Sequence, residues 1–94
     1  MLYDYVKTIV LGGITMKSIT EKEIENFMHN IAWLRKKHNL SKKQMAQICH
    51  IGVPSLNKLE NGIMPRKLRV DIVFAIYRYF GIHPTDQFKE MYKN

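Results

Sequence analysis

Between residues 41 and 69 the sequence gathers side chains that donate hydrogen bonds or carry positive charge: Ser41, Lys42, Lys43, Gln44, Ser55, Asn57, Lys58, Asn61, Arg66, Lys67 and Arg69. Glu60 is the only acidic residue in that interval. Such groups hold anions and acceptor-rich surfaces; they do not by themselves attack electrophiles. No nucleophile-and-base arrangement, glycine-rich phosphate loop or paired-carboxylate motif is visible, so no enzymatic activity and no cofactor are expected. The single cysteine, Cys49, excludes an intramolecular disulfide and a thiolate cluster and suits a small core residue. His29, His38, His50 and His83 show no metal-ligand spacing, and no metal is expected.

The chain of 94 residues carries a net charge of +7, and the charge is unevenly divided. Residues 1–30 carry a net −1, whereas residues 31–94 set twelve basic side chains against Glu60, Asp71, Asp86 and Glu90, a net +8. A polycation of this kind points to nucleic acid, with a soluble basic face that has no partner as the alternative. The run Ile9-Val10-Leu11 is too short, and too close to Asp4 and Lys7, for a signal peptide or membrane span. A soluble cytoplasmic protein of one domain is expected.

The elements that must position the basic residues are helical. Residues 1–19 form an N-terminal arm or extension: Met1 to Leu11 is rich in Tyr and β-branched residues and meets Gly12-Gly13, which reads as a short strand or extended arm before a joint. Met16 is also an alternative start. Thr20 with Glu23 fits a capping box, and Ile24, Phe27, Met28, Ile31, Leu34 and His38 follow one face of a helix ending near His38-Asn39. Ser41 suits the N-cap of a second helix with Met45, Ala46 and Cys49 on one side. A third opens near Gly52 to Pro54, buries Leu56 and Leu59, and ends at Asn61-Gly62. A fourth, about Leu68 to Phe80, turns Ile72, Val73, Ile76, Tyr79 and Phe80 inward and stops at Gly81. Pro84 opens a fifth with Phe88, Met91 and Tyr92 as its apolar stripe.

Two short helices joined by a tight turn within a basic surround are what a helix-turn-helix needs. The segment "LSKKQMAQICHIGVPSLNKLENG" resembles the lambda-repressor-like, XRE-type (Cro/CI) helix-turn-helix family. Leu40-Ser41, Met45-Ala46, Ile51, Leu56, Leu59 and Glu60-x-Gly62 occupy the family's places in register, and the resemblance runs from about Ile31 through Phe88. It implies an all-α, five-helix domain over residues 20–94, with the helix-turn-helix at about 41–62. It also implies double-stranded DNA as partner, phosphate contacts from Ser41, Lys42, Lys43, Asn61, Arg66, Lys67 and Arg69, and a structural pair between Arg35 and Glu60. Gln44 resembles the polar helix-two residue that reaches DNA, with a solvated glutamine as the alternative.

Two departures bear on function. At the turn the family usually has glycine, and here His50 must accept a positive φ at some cost. The polar cap of the third helix is replaced by Gly52, followed by Val53 and Pro54 where base-reading residues often sit. Those two can touch thymine methyls or let the helix end approach a phosphate, but cannot make paired hydrogen bonds to base edges. Specificity is then left to Ser55, Asn57 and Lys58, with Asn57 suited to adenine and Lys58 to guanine. A merely solvated helix face is the competing reading of both.

Trp33 points away from the Ile31/Leu34 stripe, among Asn26, Asn30 and Lys37, and the fourth helix bears a second apolar stripe of Val70, Phe74 and Tyr77. These surfaces, with Phe88, Met91 and Tyr92, are expected to meet the arm, the fifth helix or a second copy in a homodimer. The leading function is a sequence-specific bacterial or phage-type transcriptional regulator acting by operator occupancy. The alternative is an antitoxin-like or phage accessory protein that mainly binds another protein and touches DNA weakly.

Overall fold

The computed structural model describes residues 9–11, 14–16, 19–63 and 69–93. Two strands, β1 (Ile9–Leu11) and β2 (Ile14–Met16), pair antiparallel with Ile9 opposite Met16. The helices are α1 (Glu21–Lys37), α2 (Lys42–Cys49), α3 (Val53–Glu60) and α4 (Val70–Phe80), followed by two 3₁₀ turns, Pro84–Phe88 and Met91–Lys93. The described residues form a predominantly helical domain, and the small strand pair falls within the N-terminal stretch read as strand-like or extended. The rest of the expected arm, residues 1–8, 12–13 and 17–18, lies outside the described residues, as do Leu68, Arg66 and Lys67.

Local chemistry sets the helix ends. Thr20 and Glu23 cap α1 reciprocally, and Ser41 and Gln44 do the same for α2. At the other end of α1, α2 and α3 the chain turns through one left-handed residue: Asn39 at φ 54°, His50 at φ 59° and Gly62 at φ 76°. Each reversal returns an amide to a carbonyl five residues back, Leu40 to Arg35 at 2.9 Å, Ile51 to Ala46 at 3.0 Å and Ile63 to Lys58 at 2.9 Å. His50 thus performs the expected turn without displacing it, leaving His50, Ile51 and Gly52 between α2 and α3. A left-handed conformation costs a β-carbon-bearing residue about 1–2 kcal/mol. His50→Gly is accordingly expected to raise the melting temperature by roughly 4–8 °C for each kcal/mol relieved, as a thermal scan would measure.

The core joins the inner faces of all four helices: Ile24, Phe27, Ile31 and Leu34 of α1, Met45, Ala46 and Cys49 of α2, Leu56 and Leu59 of α3, and Ile72, Val73 and Ile76 of α4. Burying each large aliphatic or aromatic side chain of this set stabilises the fold by about 1.5–3 kcal/mol before entropy is counted. Two assignments on the helices are corrected. Tyr79, expected inward, is 60% exposed, and His38 stays exposed with its ring 5.0 Å from Phe80.

The fifth helix is replaced by the two 3₁₀ turns, for a physical reason that lies on α1. Asn26 and Asn30, one turn apart on the same face, are buried and take the carbonyls that helical amides would otherwise use. Asn30 donates to Gln87 O at 2.7 Å and Lys89 O at 2.6 Å, and Asn26 donates to Phe88 O at 3.0 Å. Asn30 Oδ1 in turn accepts from Tyr92 N at 3.2 Å. Phe88, expected at an interface between copies, is instead buried within one chain, stacked on Phe27 at 5.0 Å. Tyr92 and Met91 also pack inward, Tyr92 against His29 and Met91 against the core. Trp33 is half-buried against the core, with the Lys37 ammonium 4.6 Å from its ring centre.

Candidate nucleic-acid interface

The outer face of α3 follows from what its inner face buries. Leu56 and Leu59 point into the core, which leaves Pro54, Ser55, Asn57, Lys58 and Asn61, spaced three and four apart, on the opposite side. Pro54, Ser55, Lys58 and Asn61 are exposed, while Asn57 and Val53 are half-buried. Gly52 caps α3 with no side-chain hydrogen bond, so the helix opens with bare backbone. The orphan amides of a first turn, among which proline has none to offer, face outward there.

Lys42 is the first residue of α2, and its Nζ donates to Asn57 Oδ1 at 2.7 Å, tying the start of α2 to the middle of α3. Lys43 is exposed beside it. Ser41 and Gln44 are both exposed, but their side-chain oxygens are committed to the capping box: Ser41 Oγ accepts from Gln44 N at 3.0 Å and Gln44 Oε1 accepts from Ser41 N at 2.8 Å. Gln44 keeps its amide donors, and Ser41 its hydroxyl proton, for an outside acceptor.

The carboxylates lie elsewhere. Glu60 is held by Arg35, Asp71 by Arg69, Asp86 by Lys89, and Glu90 by Lys93 and Lys22. These are all four acidic residues of positions 31–94. Among the described residues, Lys42, Lys43 and Lys58 have no carboxylate within ion-pair distance. The face shared by α2 and α3 is therefore an unneutralised positive surface, as phosphate contact requires. Arg69 differs: its Nη2 lies 2.7 Å from Asp71 Oδ2, and its hydrogen bond holds that carboxyl below the usual carboxylate range. A phosphate reaching Arg69 must compete with Asp71.

Behind this face Arg35 forms a two-pronged contact with Glu60, Nε to Oε2 at 2.6 Å and Nη2 to Oε1 at 3.0 Å, and its Nη1 donates to Leu40 O at 3.2 Å. One guanidinium thus joins the end of α1, the loop before α2 and the last residue of α3. The hydrogen bond to Glu60 pushes the arginine's pKa above its ordinary value. Cys49 is fully buried, and burial, with a smaller contribution from the charge of Glu60, pushes its thiol up to about 12. It stays a neutral thiol near pH 7 and belongs to the core rather than to any reactive centre.

Sequence reasoning missed the Lys42–Asn57 contact, for which no local spacing rule exists, and the Asn26/Asn30 clamp, whose signal was two asparagines at i and i+4 in a helix otherwise poor in polar inward positions. No group of three or more potential metal ligands occurs among the described residues, and no helix among them is long and apolar enough to cross a membrane.

A helix-turn-helix family model matches residues 31–87, more than half of the chain, and spans α2, the His50 turn, α3 and α4. Comparison with curated proteins and with solved structures finds no match. The exposed α3 face, the lysines around it and that match have one reading: the chain belongs to the XRE/Cro/CI-type helix-turn-helix family of DNA-binding regulators.

Proposed function

We propose that the protein is a sequence-specific transcriptional regulator that reads duplex DNA with α3 and acts as a homodimer by occupying its operator. One observation carries this reading: Ser55, Asn57 and Lys58 stand on the outer face of α3 beside Lys42 and Lys43, with every carboxylate of residues 31–94 paired elsewhere. In the docking geometry of such motifs α2 crosses the backbone and α3 lies in the major groove with its N-terminal half against the bases. Lys42, Lys43 and the donors of Ser41, Gln44 and Asn61 then meet phosphates, while Ser55, Asn57 and Lys58 meet base edges. Val53 and Pro54 supply apolar contact, suited to thymine methyl groups, and let the helix end come close to the backbone. Arg66 and Lys67, also proposed for phosphate contact, follow α3 in sequence and lie outside the described residues.

Dimerisation supplies the two-fold symmetry that palindromic operators mirror. Among the described residues the surface available for it is the side of α4 where Tyr77, 46% exposed, is in line with the half-buried Val70 and Phe74, whereas Tyr79, 60% exposed, lies on the other side of the helix, towards Gln44 and Ile48 of α2. Trp33 is half-buried, and Phe88 is withdrawn from that role by its burial.

Selection on a randomised duplex library at about 150 mM salt, where non-specific binding is weak, tests the reading. Enrichment of a two-fold motif with half-sites about 10 base pairs apart is expected, together with a dimer by light scattering at tens of micromolar. A second reading, a regulator of another protein that touches DNA only weakly, is favoured by the Gly52-Val53-Pro54 start, which brings no polar side chain to the groove. Salt-sensitive retention of bulk DNA without any enriched motif would select it.

A further inference from the structure

The geometry points to Lys42 and Asn57 as one reading unit that specifies guanine rather than adenine at the base pair facing Asn57, with Lys42 as the positioning residue. The inference rests on the proposed docking of α3 in the major groove.

A free asparagine pairs with adenine because its Oδ1 accepts from N6 while its Nδ2 donates to N7. Here Oδ1 faces the ammonium of Lys42 at 2.7 Å. That contact sets the amide's orientation, with Nδ2 as the end left to donate. The second lone pair of Oδ1 does not restore adenine reading, because an incoming N6 amino group brings its own positive hydrogens against the ammonium. The remaining hydrogens of Lys42 Nζ and both hydrogens of Asn57 Nδ2 make a surface of donors alone. Guanine presents two acceptors, N7 and O6, on its major-groove edge, whereas adenine presents one acceptor and one donor. A surface of donors alone therefore matches guanine.

The position of Lys42 supports a role beyond phosphate neutralisation. It is the first residue of α2, where the helix dipole opposes a cation, and no acidic residue occupies that first turn to offset it. The nearest compensation is the Asn57 carbonyl on the neighbouring helix. Lys43, at the next position, has no such contact among the described residues and remains a plain phosphate-binding cation.

The test is selection on randomised duplex with the wild-type chain and the Lys42→Met, Lys42→Arg and Asn57→Ala variants. Met keeps the aliphatic stem and removes the ammonium; Arg keeps a donor. The expected result is a wild-type motif with guanine at one position, where Asn57→Ala loses all preference and Lys42→Arg retains guanine. In Lys42→Met that position moves toward adenine, with the guanine-to-adenine preference falling by about tenfold or more. The change should be confined to that one position, whereas loss of folding or of a phosphate contact lowers affinity for all sequences alike and changes the preferred base at none. A wild-type motif with adenine at the Asn57-dependent position, or a guanine preference unchanged by Lys42→Met, overturns this inference while leaving the DNA-reading function standing. Absence of any wild-type motif overturns both.

Discussion

Arg35→Ala is expected to lower stability by about 3 kcal/mol, the range for removing one partner of a largely buried ion pair. The side chains of Arg35 and Glu60 are 15% and 8% exposed, so neither is freely solvated. Removing the guanidinium leaves the Glu60 carboxylate without its two hydrogen bonds and Leu40 O without its side-chain donor. The energy comes mainly from that stranded carboxylate, and the double variant Arg35→Ala/Glu60→Ala should therefore be more stable than Arg35→Ala alone. For a domain this size the single change corresponds to a drop of roughly 12–24 °C in melting temperature. A melting temperature within a few degrees of wild type would show that the pair contributes nothing net. Because Glu60 closes α3, the same variant should also loosen that helix and, on the proposed reading, weaken DNA retention even where the protein is still folded.

Asn30→Ala should be comparably damaging. Asn30 is 2% exposed and satisfies three backbone groups of the C-terminal segment: Gln87 O, Lys89 O and Tyr92 N. Truncation leaves Gln87 O unpaired in a buried site and Lys89 O and Tyr92 N unpaired in partly buried ones, at about 1–3 kcal/mol for each group that finds no substitute. A net loss of about 3 kcal/mol is expected, with the damage centred on residues 87–93 rather than spread through the fold. Hydrogen exchange would check this: amides of the two 3₁₀ turns should lose protection first, while those of α2 and α3 keep theirs at low denaturant. Asn30→Asp should be worse still near neutral pH, since it faces a carboxylate toward two carbonyl oxygens. Uniform loss of protection across the chain would contradict a local clamp.

The recognisable part of the fold in sequence was the part governed by local rules. Thr20-Glu23 and Ser41-Gln44 are capping boxes, and Asn39, His50 and Gly62 sit where a left-handed residue ends a helix; each can be assigned from a few neighbouring side chains. The apolar stripes of α1 and α2 likewise lie at helical spacing. The fifth helix failed because its carbonyls are claimed from about 60 positions away by Asn26 and Asn30, a tertiary competition that periodicity cannot register. Tyr79 failed because α4 is apolar around most of its circumference, so spacing alone does not say which side is covered. At the site, the residue types on α3 and the lysines of α2 were evident, whereas the Lys42–Asn57 contact depends on the inter-helix angle set through the His50 turn. Sequence offered adenine for Asn57 on the side chain's free chemistry; its neighbour changes what that chemistry is.

The most direct test of the central claim, that the outer face of α3 reads sequence, is a pair of dissociation constants at about 150 mM salt. Wild type and Asn57→Ala/Lys58→Ala would each be measured on the duplex recovered by selection and on a scrambled duplex of the same composition. Two lost base contacts, at about 1–3 kcal/mol each, predict that affinity for the selected duplex falls on the order of 100-fold or more. Affinity for the scrambled duplex should change far less, so that discrimination largely disappears. An equal fall on both duplexes, with the ratio between them preserved, would mean that these residues hold only the backbone and that α3 does not read the bases.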